Sequence, residues 1–466
     1  MDTILENRTY DEIEIGETAM LERVLTQQDV QLFAVVSGNV NPLHLDQEYA
    51  NSTNSPTLIG HSMWGASLIS TLLGTKLPGP GTTYLNQTLS FNGSVRVGDR
   101  LRVQVRVSKK EATHVTLDCS ATNQNGREVF SGTALVQAPT EKIRRAAFRL
   151  PHVELHDPYR QYRQLIALTT GKPPVRTAVV HPTDAVSLGG AMQAAHEQFI
   201  IPVLIGPVDK IRAAAAEAGM DLSGVEIIDV PHSHAAAAHA VELARTNSVQ
   251  MLMKGSLHTD ELMRAVVARE GGLRTARRIT HVFAMDVPDY NKPLFITDAA
   301  INIQPDLATK ADIVQNAIDF VRIIGIETPK VAILSAVETV NAAIPSTLEA
   351  AALCKMADRG QITGGIIDGP LAFDNAISAE AAKIKHMTSP VSGVVDILVV
   401  PDLESGNMLF KQLVYLADAL AAGVVLGAKV PVVLTSRADG ELARMASSAL
   451  GMLVANHNRA GVPLQD

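Results

Sequence analysis

Near residue 140 the hydrophobic pattern of this 466-residue chain changes period. Before that point, apolar and polar residues alternate. Leu101, Val103, Val105 and Val107 follow that rule, and Val115, Leu117, Cys119 and Ala121 repeat it. A period of two marks a strand with one buried face. Asn125-Gly126 supplies a hairpin turn, after which a third run, Val129 to Val136, returns. One apolar helical stretch, Met63 to Leu73, precedes these strands. Residues 1–140 are therefore expected to form an α+β domain, a sheet wrapped around a helix.

Beyond residue 158 short apolar runs alternate with helical patterns. A strand is expected over 203–206, then a helix capped by Asp209 and ending at Gly219. A strand over 225–230, a helix over 235–246 and a strand over 249–253 follow. Later runs at 331–334, 365–367, 395–400 and 431–434 are each trailed by a helical pattern. This rhythm predicts an α/β domain over 159–466, two-lobed, with mostly parallel sheets. Residues 141–158 are charged, carry two prolines and lack a clear period, and read as a linker.

Several function classes are disfavoured by composition. Net charge is −8 and aromatics are 4% of residues, so neither a basic footprint nor a stacking surface for nucleic acid is expected. The two cysteines, Cys119 and Cys354, are far apart and suggest neither a disulfide framework nor a zinc site. Such use suits a reducing, cytoplasmic setting. The start, MDTILENRTYDEIEIGE, lacks a signal-peptide pattern. The most apolar stretch, Leu413 to Leu434, contains Asp418, Lys429 and Pro431 and reads as buried helix plus strand, not as a membrane span.

Ligands of open parallel sheets bind beyond the carboxyl ends of strands. Polar residues follow four of the expected strands: Lys254-Gly255-Ser256, Ser335, Pro401-Asp402 with Ser405-Gly406-Asn407, and Thr435-Ser436-Arg437-Ala438-Asp439. Each alone is readable as a helix cap. Together they are expected to collect on one sheet edge. His232, His234 and His239 lack the carboxylate or cysteine partners of a metal site and are expected to be structural, with no metal. No phosphate-binding loop or dinucleotide fingerprint occurs.

The runs GGLRTARRITHVF (271–283), KPLFITDAAINIQPDL (292–307), ILSAVETVN (333–341), GPLAFDNAIS (369–378), SPVSGVVDILVVPDLESGN (389–407) and LTSRAD (434–439), with Lys254-Gly255, resemble the phosphate acetyl/butyryltransferase family. The resemblance implies reversible acyl transfer between short-chain acyl-CoA and inorganic phosphate, with CoA and phosphate as substrates and no tightly bound cofactor. It implies Arg437 on the phosphate, Ser436 on the developing oxyanion, and a carboxylate as base toward the CoA thiol, Asp439 first and Glu441 second. Lys254, Ser335 and Asn407 are expected to line the cleft. In wording these runs are at least as close to the butyryl branch as to the acetyl branch.

FAVVSGNVNPLHLDQEYA (33–50), HSMWGASLIS (61–70), LPGPGTTYLNQTLSF (77–91) and VRVGDRL (95–101) resemble the MaoC-like, R-specific enoyl-CoA hydratases, which have the hot-dog fold. In that family an Asp and a His activate water, and a backbone N–H at the start of the central helix holds the thioester oxygen. His44 stands at the His position. Asn39 stands where the family has Asp, and Ser62 where it usually has Gly. An amide takes no proton, and loss of one acid/base partner typically costs on the order of 10²–10⁴-fold in rate. Three readings follow: an acyltransferase with a hydratase-like domain, a bifunctional enzyme, or a hot-dog domain that only binds acyl-CoA or dimerises. Both families imply a homo-oligomer.

Overall fold

The computed structural model describes all residues except 1–3, 54–56, 152, 154, 156–159, 435–439 and 462–466. The chain divides into two compact units, Met1–Leu155 and His156–Asp466.

In the first unit the elements are β1 (Ile4–Glu6), β2 (Thr18–Val24), α1 (Gln27–Ser37), α2 (Pro42–Leu45), α3 (Gln47–Ser52), α4 (Ser62–Thr75), β3 (Thr83–Phe91), β4 (Arg100–Glu111), β5 (His114–Asn123), β6 (Glu128–Gln137) and β7 (Arg144–Ala146). Five strands form one antiparallel sheet in the order β2-β4-β5-β6-β3. The alternating residues of β4 and β5 are the buried ones, and they pack on Trp64, Leu68, Ile69, Leu72 and Leu73 of α4. Gly65 allows the close approach of that helix. A Cβ there would lie 3.1 Å from Leu101 Cδ2 and 3.3 Å from Phe130 Cε1. This is the hot-dog arrangement, a sheet around one helix. Part of the stretch read as linker is strand β7, which pairs with β1. That partner lies at the other end of the unit, beyond the reach of a local pattern.

Unit two opens with α5 (Arg160–Ala167), then alternates β8 (Val175–Val180), α6 (Ala185–His196), β9 (Ile200–Gly206), α7 (Val208–Glu217), β10 (Glu226–Asp229), α8 (Ser233–Arg245), β11 (Met251–Lys254) and α9 (Thr259–Val266). Next come β12 (Thr280–Asp286), β13 (Leu294–Thr297), α10 (Leu307–Ile323), β14 (Lys330–Leu334), α11 (Pro345–Asp358), β15 (Ile366–Leu371), α12 (Phe373–Ile377), α13 (Ala379–Ile384), β16 (Ile397–Val399) and α14 (Leu403–Leu416). Last are β17 (Leu420–Leu426), β18 (Val432–Val433) and α15 (Glu441–Ala460).

Among the described residues this unit's eleven strands share one sheet, ordered β10-β9-β8-β11-β18-β17-β12-β13-β16-β14-β15. Its two flanks are parallel. The seam is antiparallel at β18–β17, β17–β12 and β12–β13. Three reversals make the flanks run in opposite directions. This corrects the expectation of a single polar edge. Lys254 and residues 435–439 follow β11 and β18, which point one way; Ser335 and residues 401–407 follow β14 and β16, which point the other.

Asp209 is also not the cap of α7. The N-cap is Pro207, and Asp209 lies inside the first turn. Asp229, at the end of β10, accepts the Val208 N–H at 3.0 Å instead. Among the described residues no helix is long and apolar enough to cross a membrane.

Candidate active sites

The N-terminal candidate residues sit on the connection between α1 and α4. Thr26 and Asp29 cap α1 reciprocally, and Gly38 ends it in the left-handed region at φ 71°. The chain thereby turns into Asn39. Asn41 caps the short α2, with Pro42 at its first position. That turn carries His44, whose Nδ1 lies 2.8 Å from the Ile59 carbonyl. A carbonyl only accepts, so Nδ1 carries the hydrogen and Nε2 presents a lone pair, as a proton acceptor must.

Asn39 is tied into the turn through its backbone and its side-chain oxygen. Its side-chain oxygen accepts the Asn41 N–H at 3.2 Å, and its own N–H donates to Ser37 Oγ at 3.3 Å. Its carbonyl accepts from His61 Nε2 at 3.1 Å. His61 stands directly before α4, and its ring stacks on His44 with centroids 3.9 Å apart. Burial lowers the His61 pKa, and the charge of His44 acts in the same sense against the Asn39 hydrogen bond. Ser62 occupies the first position of α4, where a helix leaves its amide hydrogens unpaired. The connection thus brings together a basic imidazole, a second imidazole and a helix N-terminus. The HSMWGASLIS run contained His61, but nothing local distinguishes it from an ordinary helix-start residue.

In the C-terminal unit, Lys254 ends β11 and is buried, with Nζ 3.4 Å from the Gly255 carbonyl. Gly255 is required there, because a Cβ would lie 2.3 Å from the Val180 carbonyl oxygen. The Gly255 N–H donates to that same carbonyl at 2.9 Å. Ser256 Oγ and Thr183 Oγ1 are 2.7 Å apart. On the opposite flank Ser335 follows β14, and its Oγ lies 2.8 Å from Ser346 Oγ. Asp402 caps α14 through the Ser405 N–H at 2.8 Å, which sets Asn407 one turn into that helix. Asn407 Nδ2 reaches the Ala299 carbonyl at 3.4 Å.

Ala299 belongs to a loop built by Asp298, another residue passed over in the sequence. Asp298 is 2% exposed and accepts from the Ala300 and Ile301 N–H groups at 3.0 and 2.9 Å, and from Asn302 Nδ2 at 2.6 Å. Burial raises its pKa against these bonds. Ser436, Arg437 and Asp439 lie outside the described residues. Of the two candidate bases, Glu441 opens α15 and its Oε1 accepts from Gln193 Nε2 of α6. His232 caps α8 through the Ala235 N–H at 3.2 Å, and His234 lies 3.8 Å from Glu261.

Comparison with known proteins matches a different family model within each unit. The family model described as phosphate acetyl/butaryl transferase matches residues 231–450, and the one described as MaoC like domain matches residues 12–127. A phosphate acetyltransferase of Rhizobium meliloti is 62% identical over 300 residues, 64% of this chain and 95% of that protein. A phosphate butyryltransferase of Clostridium acetobutylicum is 41% identical over 298 residues, 64% of this chain and 99% of that protein. These identities lean toward the acetyl side, where the wording of the motifs did not. A branched-chain phosphotransacylase structure from Enterococcus faecalis is 31% identical with a TM-score of 0.53, covering 60% of this chain and 99% of that one. The chain therefore belongs to the phosphate acetyl/butyryltransferase family and carries a MaoC-like hot-dog domain ahead of it.

Proposed function

We propose that the C-terminal unit transfers an acyl group reversibly between CoA and inorganic phosphate, with acetyl as the leading acyl group. The observation that carries this reading is 62% identity across 95% of a phosphate acetyltransferase. The Ser436, Arg437 and Asp439 side chains that the chemistry needs are all present in the sequence. A phosphate oxygen attacks the thioester carbonyl, an oxyanion forms, and the carbon–sulfur bond breaks to release CoA thiolate. Arg437 pairs the phosphate bidentately, as a planar guanidinium does. Ser436 donates to the oxyanion. Asp439 relays the proton, passing the one released by the attacking hydrogen phosphate to the departing thiolate and, in reverse, taking it from the CoA thiol and returning it to phosphate. The bond from Gln193 to Glu441 supports Asp439 over Glu441 for that role. Lys254, on the flank that leads into residues 435–439, lines the approach; Ser335 and Asn407 follow strands of the opposed flank and are given no part in it. CoA and phosphate are substrates, and no tightly bound cofactor is needed.

The two activities are assigned to residues 1–140 and 159–466, joined by 141–158, in a cytoplasmic homo-oligomer. The open edge of β3, with Tyr84, Leu85 and Phe91 exposed, supports self-association. The N-terminal unit is read as hydratase-like: His44 is the base, the N–H of Ser62 meets the thioester oxygen, and Asn39 contributes no proton acceptor.

The test is phosphate-dependent release of CoA from acetyl-, propionyl- and butyryl-CoA by the full chain. Release from acetyl-CoA is expected to be fastest. Absence of release from all three would end the acyltransferase reading.

A further inference from the structure

His61 is 4% exposed and stands at the N-cap of α4, yet its side chain does not cap the helix. Because Nε2 donates to the Asn39 carbonyl, the neutral ring keeps its lone pair on Nδ1. Among the described residues that Nδ1 is buried without a hydrogen-bond partner. A buried acceptor loses its water and gains nothing in return unless a ligand supplies a donor. Two aromatic rings flank the imidazole. Phe33 lies 5.1 Å from it, and His44 stacks on it at 3.9 Å with 34° between the planes.

His44, fixed by the Ile59 carbonyl, likewise presents its Nε2 lone pair. Two adjacent imidazoles thus each offer one acceptor beside the start of α4. A water molecule has two hydrogens, and a site that aims its oxygen at carbon must hold both. Asn39 Oδ1 already accepts the Asn41 N–H, whereas His61 Nδ1 has no partner among the described residues.

We propose that His61 Nδ1 holds the second hydrogen of the water that His44 activates, so that the N-terminal unit hydrates 2-enoyl-CoA thioesters without a carboxylate at position 39. The proposal rests on the hydratase-like reading of this unit. The water oxygen bonds to Cβ as the carbon–carbon π electrons move toward the thioester oxygen, which the N-terminus of α4 receives. His44 Nε2 takes one water proton and delivers it to Cα. The other hydrogen stays on the new hydroxyl, bonded to His61 throughout. No proton is left over, and His61 acts only as a neutral acceptor. Its burial and the neighbouring His44 both favour that neutral state.

Hydration of crotonyl-CoA by the full chain tests this, with Asn39→Asp, His61→Phe and the double variant. Wild type is expected to turn over, and Asn39→Asp to gain less than about tenfold, since the acceptor is already supplied. His61→Phe, which keeps an aromatic ring on His44, is expected to lose on the order of 10²-fold in kcat with KM nearly unchanged. Asn39→Asp in the His61→Phe background is expected to restore most of that loss. A purely structural defect at His61 would gain nothing from a carboxylate at position 39. Full activity of His61→Phe overturns the proposal and leaves the hydratase reading standing. So does an inactive wild type beside an active Asn39→Asp, a result that needs no His61 variant. If neither wild type nor Asn39→Asp hydrates crotonyl-CoA, the hydratase reading itself fails and the proposal falls with it.

Discussion

The two units place their chemistry differently. In the N-terminal unit every candidate group lies on one connection, from Ser37 to Ser62, braced against a single central helix. In the C-terminal unit the candidates follow strands from both flanks of an eleven-stranded sheet that reverses direction at its seam. A compact site of the first kind stands or falls with single residues, and His44 is such a residue. A distributed site of the second kind depends on the framework that holds its parts. The comparison therefore predicts local, rescuable defects in one unit and framework-sensitive defects in the other.

The largest expected effect bears on the phosphate site. Arg437→Ala removes the only guanidinium of the LTSRAD run and should lower phosphate-dependent CoA release by on the order of 10³-fold, about 4 kcal/mol. Initial rates across a phosphate series measure it. Crotonyl-CoA chemistry in the other unit should not change. Full retention of CoA release would remove Arg437 from the phosphate role.

Next in size is a core substitution meant to break the independence of the units. Phe130 is fully buried on β6 against α4. Phe130→Ala should cost the N-terminal unit about 3–5 kcal/mol. Differential scanning calorimetry is expected to show one transition moving down while acyl transfer at 25 °C persists. Loss of both activities together would mean that the units do not fold separately.

Gly255→Ala asks whether the framework matters in the C-terminal unit. The new methyl meets the backbone oxygen of Val180 at 2.3 Å and the carbonyl carbon of His181 at 2.7 Å, neither of which is a flexible side chain. A cost of about 1–3 kcal/mol follows from such overpacking, together with displacement of Lys254. Chemical denaturation gives the first quantity, and the KM for acyl-CoA gives the second. An unchanged KM would separate Lys254 from substrate.

Much of this architecture was readable from periodicity. The strands of the hot-dog sheet, the helix over 63–73 and the alternation after residue 158 all appear because burial imposes a period on composition. Direction imposes none. The runs THVFAMD and LFIT, which form β12 and β13, carry buried residues on both faces, so nothing in them reveals an antiparallel seam. Contacts between distant residues were equally hidden. Asp229 reaches the start of α7 from the neighbouring strand, β7 pairs with β1, and the His61 ring lies against that of His44. Position 39 was legible because a motif makes a single changed letter visible. His61 was not, because its importance lies in a neighbour 17 positions away, 61 against 44.

The smallest effect tests the seam itself. His281 on β12 is wholly buried, and burial alone pushes its pKa down to about 3. Gly423 on β17 leaves room for the ring, since a Cβ there would lie 2.7 Å from His281 Nε2. The imidazole is therefore neutral in the folded chain, whereas in the unfolded chain it binds a proton below its ordinary value of 6.5. Between those two values the unfolded state holds the extra proton, so stability falls as pH falls, by up to about 1.4 kcal/mol per unit. Above pH 6.5 this contribution is flat. His281→Phe removes the titration. The difference in unfolding free energy between wild type and His281→Phe should hold constant from pH 8 to 7 and then shift against wild type by about 2 kcal/mol on acidification to pH 5. A pH-independent difference would mean that the seam opens enough to hydrate His281. The opposed flanks would then be joined by a hinge, and the dependence of the C-terminal site on a rigid framework would have to be given up.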